Sequence, residues 1–160
     1  MKTYDATDMV LAVARSMLFV REEPKDSNAG QAVEAFLQAT GLGKGYPWCA
    51  AFVAYCGRAA LGTAWPLPMT AGCAALGAFA SQRAILDVVG LPGDVFLVWS
   101  PKLGRYAHTG FIVDVAATGA YRTIEGNTND GGSRDGWGAF VRQRSLGLHD
   151  RVIRWTRLIG

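Results

Sequence analysis

Hydrophobic positions in the first half of the chain recur every three or four residues, a spacing that is typical of amphipathic helices. One helix is predicted over residues 10–18, and either Asp5 or Thr7 is placed to cap it. The same spacing predicts a helix over residues 48–60 and a short helix over residues 71–81. The first half of the chain is therefore predicted to be mainly helical, with polar and Pro-rich segments between the helices.

A further helix is predicted ahead of residue 40, because Asn28 and Gln31 have the spacing of a capping box. In that motif the first side chain bonds a backbone N–H at the helix start, and the second bonds back to the capping residue. Apolar residues at helical spacing follow, and the Gly-rich segment 40–45 ends the pattern. We therefore expect a helix that is capped by Asn28.

The second half of the chain has short apolar runs that are separated by turn residues, which is typical of strands. The turn Pro92-Gly93-Asp94 precedes the apolar run 95–99, which predicts a buried strand. Further strands are predicted over residues 108–115, 120–125, 139–144 and 152–159. Helices followed by antiparallel strands predict an α+β domain.

The composition is that of one ordinary globular domain. The chain has 160 residues, of which 50% are hydrophobic and 18% are charged, and this is enough to bury a core without stabilising disulfides or metal ions. No internal repeat, low-complexity tract or long linker divides it, so we expect a single domain over residues 1–160. The three cysteines are an odd number without paired spacing, and we expect them to be reduced.

The charge pattern argues against one class of partner, nucleic acid. The formal charge is +3, and twelve of the sixteen basic residues are arginine. The late arginines alternate with apolar residues, as on the solvated face of a sheet, which differs from a nucleic-acid-binding patch. These arginines are Arg134, Arg142, Arg144, Arg151, Arg154 and Arg157. We expect no nucleic-acid partner.

Neither a membrane span nor a signal peptide is predicted. No apolar segment approaches the length that a membrane span requires. The apolar stretch 9–20 is interrupted by Arg15, and no small-residue cleavage site follows it. We therefore expect a protein that is made in the cytoplasm without a signal peptide.

Cys49 is the first candidate for chemistry. Pro47 fits at the start of a helix, so Cys49 should lie in the first turn. There the unpaired backbone N–H groups and the helix dipole stabilise a thiolate, the nucleophilic form of cysteine. The alternative is a core cysteine, because Cys49, Phe52 and Cys56 share one helical face. We interpret Cys56 and Cys73 as core residues, and the three thiols lack the spacing of a metal site.

A histidine and a carboxylate on neighbouring strands could complete a catalytic site. His108 begins one predicted strand and Glu125 ends the next. If these strands pair in antiparallel fashion, the carboxylate accepts the second imidazole N–H, fixes the tautomer and favours the imidazolium. Asn127 lies just past the strand, where it could orient the ring or polarise a substrate. The alternatives are a histidine bonded to backbone, a solvated carboxylate and an ordinary turn asparagine.

The segment Trp48-Cys49-Ala50-Ala51-Phe52-Val53 resembles the CHAP family of cysteine, histidine-dependent amidohydrolases and peptidases, which belongs with the NlpC-type enzymes in the papain-like superfamily. Pro92-Gly93-Asp94-Val95, His108-Thr109-Gly110 and Ile124-Glu125-Gly126-Asn127 resemble further segments of that family, and the resemblance covers about residues 22–158. It implies a papain-like α+β fold in which N-terminal helices pack on a mainly antiparallel sheet of about five to six strands. The cysteine would then lie at a helix N-terminus and face the histidine strand.

Carried over to this chain, the resemblance implies Cys49 as the nucleophile, His108 as the general base and Glu125 as the residue that orients the imidazole. Asn127 matches a further polar position of the site. The residues expected to bind substrate or stabilise the oxyanion, besides the backbone N–H of Cys49, are Tyr46 and Trp48. Some relatives bind calcium through acidic residues around the cysteine, but none stand near Cys49 in this sequence. No metal and no other cofactor is therefore predicted.

The resemblance also implies a substrate. We expect a hydrolase of bacterial peptidoglycan that cuts an amide bond in or next to the stem peptide, as an N-acetylmuramoyl-L-alanine amidase or a peptidoglycan endopeptidase. The alternatives are a protein-directed cysteine protease, deamidase or acyltransferase on the same scaffold, and a non-catalytic wall-binding module.

The expected context follows from the same resemblance. We expect a monomer that acts on the cell wall, in the periplasm or outside the cell, after release or delivery. It would be a phage lysin or a secreted antibacterial effector, and an effector would have an immunity protein and a delivery apparatus as partners. The sequence leaves no room for a separate wall-binding domain.

Overall fold

The computed structural model describes residues 5–128 and 136–159. Within them the helices are Ala6–Ser16 (α1), Gln31–Ala39 (α2), Cys49–Leu61 (α3) and Cys73–Gln82 (α4). The strands are Leu86–Asp87 (β1), Val95–Ser100 (β2), Arg105–Val115 (β3), Tyr121–Thr128 (β4), Gly138–Arg144 (β5) and Arg151–Ile153 (β6). The helices precede the strands, so the predicted α+β class is confirmed.

The strands form one antiparallel sheet in the order β1-β6-β2-β3-β4-β5. The long strands β2, β3 and β4 are neighbours at its centre. The predicted antiparallel sheet of about five to six strands is therefore confirmed. This order also places the strand that carries His108 directly beside the strand that carries Glu125.

Helix α3 is the centre of the hydrophobic core. It packs against α1 and α2 on one side and against β3 and β4 on the other. The Phe52 ring meets the rings of Phe36 and Phe111 at centroid distances of 5.6 and 6.4 Å. A Cβ added at Gly126 would lie 2.7 Å from both Phe52 Cβ and Trp48 Cζ3, so only glycine allows this approach. The missing side chain lets β4 touch the helix that Cys49 begins.

The helix starts agree with the sequence in one case and differ in another. Asp5 caps α1, because its side chain accepts a hydrogen bond of 3.0 Å from the backbone N–H of Thr7. The predicted cap at Asn28 is wrong, since α2 begins at Gln31 after Gly30. The chain turns at Gly30 with φ 118°, a conformation that glycine adopts readily. The Glu34 carboxylate then accepts the Gly30 N–H at 3.1 Å, in place of the predicted pair.

The strand boundaries differ at three places. The last predicted strand, 152–159, is three residues long, and a 3₁₀ helix, Trp155–Leu158, follows it. The Trp155 indole is buried there and donates a hydrogen bond of 2.8 Å to the Gly93 carbonyl, which turns the chain away from the sheet. Strand β3 begins at Arg105, so His108 lies inside it, and the short strand β1 was not predicted.

None of the helices in the described part of the chain has the length and apolar character that crossing a membrane requires.

Candidate active site

Cys49 is the first residue of α3 and lines a cleft of about 460 Å³. The predicted position at a helix start is confirmed. The first N–H groups of a helix have no partner within the helix, and the helix dipole places partial positive charge there. Only 5% of the Cys49 surface is exposed, so solvent screens this field little.

The pKa of Cys49 lies well below its ordinary value. The largest cause is a hydrogen bond with Cys73, whose Sγ lies 3.5 Å from the Cys49 Sγ. Burial acts in the opposite direction, while the His108 side chain and the Ala50 backbone N–H lower the pKa further. The site therefore stabilises the thiolate form of Cys49. Burial raises the pKa of Cys56, which lies two turns further along the same helix.

The two ring nitrogens of His108 have different surroundings. Nε2 lies 2.6 Å from Oε1 of Glu125, whereas Nδ1 has no hydrogen-bond partner within residues 5–128 and 136–159. Nδ1 is therefore the nitrogen that is left to exchange a proton with Cys49. Burial by itself would lower the pKa of His108, but interactions with Cys49 and Glu125 raise it to about 9. The imidazolium is the stable form near neutral pH.

Glu125 is fully buried and surrounded by donors. Its Oε2 accepts from the Thr123 hydroxyl at 2.7 Å and from Arg144 Nε, and its Oε1 accepts from Arg144 Nη2 at 2.6 Å. Burial would raise the pKa of Glu125, but His108 and Arg144 outweigh it and lower the pKa to about 2. The predicted pairing of His108 with Glu125 across antiparallel strands is present in the structure.

β-Bulges in β3 and β4 orient the side chains of the site. Where β2 pairs with β3, the register leaves Ala107 as an extra residue directly before His108. Where β4 pairs with β5, the register shifts just after Glu125, and Asn127 has a φ of 56° there. Bulges bend a strand and reorient side chains, and they are common next to active sites.

Asn127 holds the start of the nucleophile helix. Its Oδ1 accepts the backbone N–H of Trp48 at 2.9 Å, and its Nδ2 donates to the Gly136 carbonyl at 2.8 Å. No hydrogen bond joins Asn127 to His108 in the described residues. The structure thus brings Asn127 to the nucleophile side of the site, where it lines the cleft beside Cys49.

The two residues expected to bind substrate differ in exposure. Tyr46 is 52% exposed and lines the cleft beside Cys49. Trp48 is fully buried, and its indole N–H donates to the Glu22 carboxylate at 2.7 Å. Its backbone N–H is taken by Asn127. The predicted role of Trp48 toward substrate or oxyanion is therefore wrong, because neither donor is free.

Three residues near the site were missed. Arg144, predicted as part of a solvated face, pairs with Glu125, and Thr123 binds the same carboxylate. Thr123 had a signal in the sequence, because residues two apart on a strand share a face. Cys73, predicted as core, lines the cleft and contacts Cys49. Its signal was its place at the start of a predicted helix.

In the part of the chain that the structure describes, no group of three or more His, Cys, Asp or Glu side chains could hold a metal ion.

This arrangement has the parts of one class of catalyst. A thiolate at a helix start, an imidazolium beside it and a buried carboxylate behind the imidazole are the groups that nucleophilic catalysis by cysteine uses. The family model of the CHAP domain matches residues 41–127, more than half of the chain, and the protein belongs to this family.

The family places the chain among hydrolases of the peptidoglycan amidase and peptidase type. The matched segment is shorter than the expected 22–158 and contains Cys49, His108, Glu125 and Asn127. No curated protein and no solved structure matches the chain significantly.

Proposed function

We propose that this protein hydrolyses an amide bond of bacterial peptidoglycan in or next to the stem peptide, with Cys49 as the nucleophile. One observation carries the proposal. The thiol at the start of α3 shares a buried site with His108, whose far ring nitrogen lies 2.6 Å from Glu125. Membership in the CHAP family supports hydrolysis of this kind of bond.

In the proposed first step, the Cys49 thiolate attacks the carbonyl carbon of the scissile amide. The carbonyl oxygen becomes an oxyanion, and the backbone N–H of Cys49 at the helix start is placed to stabilise it. Tyr46 lines the same cleft and is the side chain that we assign to assist. The His108 imidazolium stays beside the thiolate until the tetrahedral intermediate has formed.

In the second step, the imidazolium donates its proton to the leaving amine, and the carbon–nitrogen bond breaks. Cys49 is left as a thioester, and His108 is neutral. A water molecule then gives a proton to the imidazole while its oxygen attacks the thioester. The acid product leaves, and the thiolate–imidazolium pair is restored. Glu125 stabilises the imidazolium that forms in each cycle.

The cleft has a charge that suits this substrate. Arg105 is the one cationic side chain among the described residues that line the cleft. Stem peptides carry free carboxylates close to their amide bonds, and a guanidinium binds carboxylates through paired hydrogen bonds. Apolar side chains such as Leu42 and Met69 line other parts of the cleft. We assign Arg105 to a substrate carboxylate.

The proposed setting is a cell wall that the protein reaches after release or delivery. We propose a monomer that serves as a phage lysin or as a secreted antibacterial effector. The mild positive charge of the chain, +3, suits an anionic polymer such as peptidoglycan.

The first test compares two cysteine variants on purified peptidoglycan. Cys49→Ala removes the nucleophile, so we expect turnover to fall to background while the fold is kept. Cys56→Ala is the matched control, because Cys56 lies in the same helix with its side chain in the core. Its turnover should stay close to that of the unchanged protein. The measurement is mass spectrometry of the released fragments, with circular dichroism to check the fold.

The fragments also identify the bond that is cut. A new amine end on the first alanine indicates an amidase, and a new amine end within the stem peptide indicates an endopeptidase. Turnover by Cys49→Ala equal to that of the unchanged protein would overturn the assignment of the nucleophile. Release of no fragments, together with cleavage of a protein or peptide amide, would move the substrate to the protein-directed class.

A further inference from the structure

Two cysteines meet at the floor of the cleft. Cys49 begins α3 and Cys73 begins α4, and their sulfur atoms lie 3.5 Å apart. Both residues line the cleft, although only 5% and 4% of their surfaces are exposed. The third cysteine, Cys56, lies in the core and does not line the cleft. The contact therefore joins the proposed nucleophile to one particular thiol.

The distance is suited to a covalent bond. A disulfide has sulfur atoms about 2.05 Å apart, so the two sulfur atoms must approach by roughly 1.5 Å. Each sulfur is carried by a single rotatable Cα–Cβ bond at a helix start, and rotation about these bonds can supply the approach. Because both side chains border the cleft, a small oxidant can reach them.

The two thiols also differ in chemical state. The hydrogen bond from Cys73 and the neighbouring His108 keep the pKa of Cys49 low, whereas the hydrogen bond to Cys49 and burial raise the pKa of Cys73. The thiolate is the form that reacts with peroxides, and a neighbouring protonated thiol is well placed to resolve the product.

We propose that Cys73 is the resolving partner of Cys49 and that the two form a reversible disulfide. The Cys49 thiolate attacks one oxygen of hydrogen peroxide, which gives a sulfenic acid and releases hydroxide. The Cys73 thiol then displaces the sulfenic hydroxyl, and water leaves as the sulfur–sulfur bond forms. The hydroxide takes up the proton that Cys49 gave up when it ionised, so one peroxide is reduced to two waters while the two sulfur atoms together lose two electrons. A dithiol reductant reverses the reaction.

The disulfide has a consequence for hydrolysis, and this consequence rests on the proposed function. With its sulfur in the bond, Cys49 cannot attack an amide, so oxidation stops turnover. The bond also protects the nucleophile, because a sulfenic acid without a thiol partner proceeds to sulfinic acid, which dithiols do not reduce. Formation of the bond itself does not depend on the substrate.

The test treats the full chain with hydrogen peroxide and then alkylates the remaining thiols after unfolding. In the unchanged protein we expect a loss of two hydrogen atoms by intact mass, one alkylated cysteine at Cys56, and a linked peptide that contains Cys49 and Cys73. Dithiothreitol should restore both thiols. Cys56→Ala should give the same linked peptide.

The variants Cys73→Ala and Cys73→Ser remove the resolving thiol, and each is compared with its own reduced form. We expect Cys49 in them to gain oxygen atoms, and dithiothreitol to leave the lost turnover unrestored. A link between Cys49 and Cys56, or direct sulfinic acid formation in the unchanged protein, would overturn the proposal. The mass measurement tests for the disulfide even if the protein does not hydrolyse peptidoglycan. Failure of the disulfide proposal can therefore be distinguished from failure of the proposed function.

Discussion

Two buried carboxyl groups, each beside an arginine, lie in different parts of the molecule, and their pKa values are shifted in opposite directions. Glu125 is paired with Arg144 in β5, and its pKa is lowered to about 2. Asp94 lies before β2 and beside Arg154, and its pKa is raised to about 6. Both side chains are almost completely hidden from solvent. Burial next to an arginine therefore does not decide the direction of the pKa shift by itself.

The difference lies in the number and direction of the donors. Glu125 receives two hydrogen bonds from Arg144, one from Thr123 and one from His108. Four donors outweigh the loss of hydration.

Asp94 has fewer donors. Burial is the largest cause of its raised pKa, and the Leu91 N–H at 2.7 Å opposes it. Arg154 Nε lies 2.9 Å from Oδ2 of Asp94, but its N–H makes no hydrogen bond to any residue that the structure describes. Glu125, which accepts four hydrogen bonds, lies in the candidate active site. Asp94 accepts the Leu91 N–H and so closes a turn.

The largest effect is expected when the charge behind the imidazole is removed. Glu125→Gln should lower kcat/KM on peptidoglycan by roughly a hundredfold or more, because the imidazolium loses its stabilising anion. Some turnover should remain, since the amide keeps part of the positioning. Initial rates of fragment release measure this. The matched control, Asp94→Asn, should change the rate less than about twofold, because its carboxylate contacts none of the reacting groups. Equal losses of kcat/KM in the two variants would contradict the different roles that we assign to Glu125 and Asp94.

The second effect concerns stability. Arg144→Met removes the cation beside a fully buried carboxylate, and we expect the free energy of unfolding to fall by about 3 kcal/mol. Arg154→Met should have a smaller effect, because the Asp94 carboxyl can take up a proton instead. Urea unfolding at pH 7 compares the two variants. A larger loss in Arg154→Met would contradict the opposite pKa shifts of the two carboxyl groups.

The third effect is the dependence of stability on pH. The pKa of Asp94 is about 6 in the folded protein and 3.8 ordinarily, so the Asp94 carboxylate binds a proton more tightly in the folded than in the unfolded state. Its stabilising contribution is present in full below pH 3.8 and is lost as the pH rises through about 6.

Between pH 7 and pH 4, the unfolding free energy of the unchanged protein should therefore gain on the order of 2 kcal/mol relative to Asp94→Asn. Glu125 has the opposite sign, because its contribution is lost as the pH falls from 4.5 toward 2. Urea titrations at several pH values separate the two. Equal pH dependence in both proteins would show that folding does not raise the pKa of Asp94.

The smallest effect is the alkaline limit of activity. The pKa of His108 is about 9, and above that pH the imidazolium loses the proton that the leaving amine needs. We expect kcat/KM to fall about tenfold per pH unit above this value. In Glu125→Gln the limit should move to lower pH, because Glu125 helps to raise the pKa of His108. If the alkaline limit of kcat/KM stays at the same pH in Glu125→Gln, Glu125 does not raise the pKa of His108.

Much of the fold was predictable from residue spacing. Helical periodicity located α1, α3 and α4 to within a few residues, and apolar runs after turn residues located β2, β4 and β5. Two antiparallel neighbours with a histidine and a glutamate were enough to predict the His108–Glu125 pair. These features depend on contacts that are local in the sequence or that join consecutive strands.

Most of the features that were missed depend on contacts between distant segments. The bond between Arg144 and Glu125 is the exception, because it joins the consecutive strands β4 and β5, and it was missed since alternation along β5 alone predicted a solvated arginine. Trp48 was predicted to face substrate because the sequence does not show that Glu22 accepts its indole N–H. The contact between Cys49 and Cys73 requires two helix starts to meet, and no sequence pattern reports this.

The close approach at Gly126 bears on how this scaffold can evolve. Because the backbone of β4 at Gly126 packs directly against the side chains of Phe52 and Trp48, this contact sets the separation of α3 from the strand that carries Glu125. The segments that carry Leu42 and Met69 border the cleft and take no part in this contact. New substrate preferences can thus arise through substitutions in the segments that carry Leu42 and Met69. Any residue other than glycine at position 126 would instead misalign the catalytic groups, whatever the substrate.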